Sequence, residues 1–127
     1  MIRTIFTPDA PRPFSRYSQA IEVAGGSRLV FVSGQVGVGL DGTLPETEEG
    51  EHEQAWANVL AILKSEGLGP RDIVDVTAYV TSQAGVAIYR KVRDRMLEGA
   101  ETASTLLVIS ALADPKWRVE IQVVAAG

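Results

Sequence analysis

Leu29-Val30-Phe31-Val32 is a run of four apolar residues, β-branched and aromatic, and it predicts a buried strand. A strand apolar on both faces needs cover on both sides. It leads into Ser33-Gly34-Gln35, where polarity appears and the side chain vanishes at Gly34. A glycine there lets another molecule approach the backbone closely, and Ser33 adds a hydroxyl. This strand end is therefore the expected floor of a binding site; the alternative is that Gly34 only marks a bulge. Ile2 to Phe6 and Ala20 to Ala24 read as two further strands, separated by a loop that Pro8, Pro11 and Pro13 keep out of helix and central strand. Gly25-Gly26 predicts a hairpin joining Ala20–Ala24 to Leu29–Val32.

From Glu46 to Glu66 the period changes to that of a helix, with Ala55, Trp56, Val59, Leu60, Ile62 and Leu63 on one apolar face. Thr47 is a candidate cap, and Gly50 suggests that the regular helix begins after it. By this wheel Trp56 belongs to the core and His52 to the outer, solvated face. Gly67 is placed to end the helix. Ile73–Val80 alternates, with Val74, Val76, Ala78 and Val80 on one side and Asp75, Thr77 and Tyr79 on the other. Val86–Leu97 predicts a second helix, Ser104–Ile109 a fifth strand and Trp117–Ala125 a sixth. The sixth places Arg118, Glu120 and Gln122 on its polar face. The order predicts one α+β domain spanning 1–127, a mixed sheet of about six strands with both helices on one face. Two helices cover one face only, so the other is either wet or an interface.

Composition narrows the chemistry. A formal net charge of −4 and the lack of a basic cluster give no reason to expect a nucleic-acid partner. With no cysteine and one histidine, thiol chemistry and multi-histidine metal sites are excluded. No signal-like N-terminus or membrane-length apolar run is present, which gives a cytoplasmic expectation and no membrane partner.

Four blocks carry a family resemblance: Arg16-Tyr17-Ser18-Gln19-Ala20, Phe31-Val32-Ser33-Gly34-Gln35-Val36-Gly37, Asp72 through Val80, and Val119-Glu120-Ile121-Gln122-Val123-Val124-Ala125. In order and spacing they resemble the Rid/YjgF family, the reactive intermediate deaminases, also called endoribonuclease L-PSP-like proteins. The resemblance implies a chorismate-mutase-like fold and a homotrimer with three clefts between subunits. It also implies hydrolysis of 2-imino acids or their enamines to keto acids and ammonia, with no metal or organic cofactor. In that branch an arginine grips the substrate carboxylate as a bidentate pair.

The sequence departs from that branch where the clamp belongs. The family's Pro-Ala-Arg-Ser pattern becomes Thr102-Ala103-Ser104, so the arginine position is Ala103, and a family asparagine position falls at Val86. Tyr17, Ser33, Gly34 and Glu120 match family positions. Glu120 is a candidate to orient or deprotonate water with Ser33 beside it; its alternative is an inter-subunit salt bridge with Arg118 or Arg16 of a neighbouring copy. Tyr17, Gly34, Val86, Ala103, Ser104 and Thr105 are the candidate walls, with Ser104 and Thr105 able to offer donors to an anion. Arg16 stands where that branch carries proline and is a candidate replacement for the lost clamp. Three function classes stay open: a cofactor-independent imine or enamine hydrolase acting on a small-molecule ligand, a non-catalytic metabolite-binding trimer, and an endoribonuclease.

Overall fold

The computed structural model describes residues 2–127. Six strands and two helices alternate as the sequence predicts: β1 (Ile2–Ile5), β2 (Ala20–Val23), β3 (Leu29–Val36), α1 (Glu48–Ser65), β4 (Ile73–Val80), α2 (Gln83–Met96), β5 (Ala103–Val108) and β6 (Val119–Ala126). The strands divide into two sheets. β1 and β2 form an antiparallel ribbon, and the main sheet has the order β3-β6-β4-β5. In it β4 and β5 run parallel, joined through α2, while β6 lies antiparallel to both of its neighbours.

Both helices lie on one face of the main sheet. Trp56, Val59 and Leu63 of α1 and Tyr89 and Val92 of α2 pack on Val32, Val76, Ala78, Val80, Val119, Ile121 and Val123. These strand residues are the alternate positions of β3, β4 and β6, so the period of two in the sequence selects the buried face. Thr47 caps α1, its hydroxyl accepting from the Gly50 N–H at 3.0 Å. The helix therefore begins at Glu48, ahead of Gly50, because the first turn needs that amide and no side chain. Gly67 ends it with φ +73°, the left-handed conformation that glycine adopts freely.

Besides the earlier start of α1 and the division of the expected single sheet into two, further expectations change. Gly25-Gly26 does turn the chain, but β2 and β3 do not pair: β2 pairs with β1, and β3 with β6. Arg28 explains the divergence. Its guanidinium donates to the Glu66 carboxylate and carbonyl, both at 2.8 Å, and to the Gly127 carbonyl, drawing the start of β3 to the ends of α1 and β6. Next, β3 is covered on one face only, leaving Phe31 73% exposed on the other. Finally, His52 is fully buried. It stands one turn before Trp56, on the same stripe that continues through Val59 and Leu63, so it points inward.

Candidate functional site

The register of β3 against β6 slips in the middle. Val32 faces Val123 and Gln35 faces Ile121, so Ser33 and Gly34 together oppose Gln122. This is a β-bulge, and it lies on the uncovered face of the sheet. Both readings of Gly34 hold at once: it is a bulge residue, and the missing side chain is occupied. The Glu120 carboxylate lies over it, and a Cβ at position 34 would overlap that carboxylate. Gln35 fixes the turn of the bulge by donating to the Ser33 carbonyl at 3.0 Å.

Glu120 is half-buried and opens into a cavity of about 260 Å³, lined also by Tyr79, Gln122, Ile109 and Leu112. Tyr79 donates its hydroxyl hydrogen to Gln122 Oε1 at 3.3 Å. The Glu120 carboxylate makes no hydrogen bond or ion pair among the described residues, and it remains free to engage a ligand or water. Arg118 does not pair with it. Both the backbone N–H and Nε of Arg118 donate to the buried Glu51 carboxylate at 2.6 Å, and Nη2 donates to the Pro45 and Glu46 carbonyls. No group of three or more His, Cys, Asp or Glu side chains is placed to hold a metal among the described residues.

The other candidates fall elsewhere. On β5, Ala103 and Thr105 pair with Asp75 and Thr77 and share the uncovered face with Glu120, whereas Ser104 pairs with core-facing Val76 and points to the helix side. Through β4, Ala103 is two strands across and four residues along from Glu120, roughly 16 Å; Thr105 is about 12 Å away by the same spacings. Within one chain, then, Glu120 and Ala103 cannot grip one small molecule. Tyr17 stands beside Ser104, Arg90 and Arg93 around a cavity on the helix side. Its hydroxyl accepts from the Phe14 N–H at 3.1 Å. Arg16 is exposed, with its guanidinium beside Gly99 after α2. Val86 packs against the core.

Sequence reading did not single out Tyr79 and Gln122 as site residues, although alternation had placed both on polar faces. Arg90 and Arg93 both stand on α2. Their convergence with Tyr17 and Ser104 has no periodic signature, because it joins three separate segments.

Between the helices, His52 Nε2 lies 3.2 Å from Glu48 Oε2, while His52 Nδ1, Trp56 Nε1 and the Tyr89 hydroxyl are buried without a partner. Burial holds the His52 imidazole below its usual pKa against the pull of Glu48 and Glu51, and it pushes the Tyr89 phenol well up.

Comparison with known proteins supports the architecture. Residues 7–127 match the family described as Endoribonuclease L-PSP. A RutC family protein of Aquifex aeolicus is 44% identical over 81 residues, 63% of this chain and 62% of that protein. A 2-iminobutanoate/2-iminopropanoate deaminase of Dermatophagoides farinae is 34% identical over 80 residues, 61% of this chain and 60% of that protein. The chain thus spans about three-fifths of the length of these two relatives. Among solved structures, the Rid family protein YyfB of Yersinia pestis, whose function is unknown, superposes with a TM-score of 0.87 at 28% identity, covering 99% of this chain and 98% of that one. A family match over nearly the whole chain and a shared fold agree: the chain belongs to the endoribonuclease L-PSP family, known also as Rid/YjgF.

Proposed function

We propose that the protein is a cofactor-independent hydrolase of the deaminase type, acting on a small imine, enamine or related carbonyl metabolite in clefts between subunits of a homotrimer. The observation that carries this reading is the unpaired Glu120 carboxylate, seated over the bare backbone of Gly34 at an open cavity. In this reading Glu120 holds and deprotonates the attacking water. The C–O bond forms at the imine carbon and the proton passes to the nitrogen. Collapse of the carbinolamine then expels ammonia and leaves the carbonyl. The Ser33 hydroxyl and the Gly34 backbone orient the substrate. Thr105 and Ala103 come from another copy, because within one chain they lie too far from Glu120. Ala103 offers a methyl group where a carboxylate clamp would stand, which favours an imine without a free carboxylate.

The same residue favours a second reading, a trimer that binds a metabolite without turning it over. An endoribonuclease role is less well supported, since the sole histidine is buried in the core and the net charge is negative. The test is ammonia and carbonyl release from imines generated in situ, with and without a carboxylate. We expect faster release from the uncharged imine, a loss of about a hundredfold in Glu120→Gln, and a comparable loss in Gly34→Ala, whose methyl group displaces the carboxylate. Ligand binding with no acceleration over the spontaneous reaction would select the second reading.

A further inference from the structure

On the helix side of the sheet, opposite the face that carries Glu120, a cavity of about 200 Å³ opens between α2, β5 and the loop before β2. Phe14, Tyr17, Arg90, Arg93, Ser104 and Leu106 line it. No carboxylate is among them, and each of the four polar side chains can donate a hydrogen bond.

Their donors are largely unspent. Arg93 has only 4% of its side chain exposed. Its Nε and Nη2 donate to Asp94 Oδ1 at 3.0 and 2.8 Å, Nη2 also donates to Ser15 Oγ at 2.7 Å, and the guanidinium lies 5.7 Å from the centre of the Tyr89 ring. These contacts fix the fork in place and leave Nη1 with no acceptor among the described residues. Arg90, one turn earlier on the same helix face, is half-buried and makes no hydrogen bond or ion pair among the described residues. Arg12, Arg16 and Arg71 also have no ion pair among the described residues, but they are exposed and water can hydrate them. Partial burial strips that hydration from Arg90 with nothing in the chain to replace it. The Tyr17 hydroxyl accepts from the Phe14 N–H and keeps its own hydrogen to donate. The Ser104 hydroxyl is uncommitted as well.

Two guanidinium groups three residues apart on a helix repel each other, and Asp94 offsets only one of them. An anion set between them would relieve that repulsion and satisfy all four donors. We infer that this cavity binds a small oxyanion of phosphate type, free or as a phosphate monoester, held by Arg90 and Nη1 of Arg93 with the Tyr17 and Ser104 hydroxyls donating. The volume admits a tetrahedral anion with a short substituent. Leu106, packed against the core, gives the cavity an apolar wall, and a lower dielectric on that side strengthens the charged contacts. The site shares no residue with the Glu120 cavity, so it stands or falls independently of the proposed hydrolase activity.

Calorimetric titration of the full chain at low ionic strength with inorganic phosphate, a short alkyl phosphate monoester and acetate tests the inference. We expect one saturable site per chain for phosphate or the monoester, with acetate weaker by tenfold or more. Binding of the monoester alone would identify a phosphorylated small molecule as the occupant; equal binding of both would identify the phosphate group itself. Arg90→Gln should weaken binding at least tenfold, Arg90→Lys should recover part of it, and Ser104→Ala should cost a few-fold. Arg90 carries no contact that the fold depends on, so its variants should melt with wild type. Absence of saturable binding by the folded wild type, or equal affinity in wild type, Arg90→Gln and Ser104→Ala, would overturn the inference.

Discussion

Gly34 and Glu120 are read most directly from the sequence, since a bare strand residue beside a serine and an acid on a polar strand face are local patterns. The chain brings them into van der Waals contact across one step of β-ladder. His52 shows the opposite case. The apolar stripe read from sequence starts at Ala55 and leaves His52 among polar neighbours, yet helical spacing puts it in line with Trp56 and between the helices. That burial carries a pH dependence. Loss of hydration is the main cause lowering the imidazole pKa, and the Glu48 and Glu51 carboxylates only partly restore it. The folded chain then takes up the His52 proton less readily than the unfolded chain, whose imidazole titrates near ~6.5. Stability that is complete above that value is lost as the pH falls through it and down to the folded-state pKa. Thermal melts should therefore drop between about pH 7 and pH 5, and His52→Gln should flatten part of that drop.

At the scale of elements, β4 and β6 are legible because each has a clean period that burial then obeys; α1 is legible as a helix, but Ile62 of its expected apolar face is exposed and Glu51 and His52 are buried. The β2–β3 pairing is not legible, because a turn signal is local while strand partners are chosen by distant contacts such as those of Arg28. One such contact ties α1 to the start of β6. The Glu51 carboxylate is fully buried and accepts from two nitrogens of Arg118, whose side chain is 33% exposed. Glu51→Gln removes the charge and leaves Arg118 poorly matched, so urea unfolding should show a loss of about 3 kcal/mol with an unchanged denaturant slope. Lys91→Ala, which breaks an exposed pair with Glu49, should leave the urea midpoint nearly unchanged in the same assay.

Over the whole molecule, two helices on one side leave Leu29, Phe31 and Leu107 exposed on the other. The polar side of the last strand predicts an open face, but not the apolar side chains that flank it, since an all-apolar β3 run predicts cover on both sides. An apolar sheet face of this kind is suited to association. Sedimentation of the wild type should give the mass of three chains, and Phe31→Glu, which places a charge where the faces would meet, should shift it toward one. The helix-side cavity was not legible at this scale either, because residues 14, 17, 90, 93 and 104 meet only through the tertiary fold.

The slip in register at Ser33 and Gly34 also bears on how such chains diverge. Losing one of these two residues would even the ladder and leave Gln35 opposite Ile121 and Val36 opposite Glu120; what it would remove is the kink that sets a bare backbone beneath the Glu120 carboxylate. A shortening here would therefore keep the pairing of the sheet and undo only the local geometry beside Glu120.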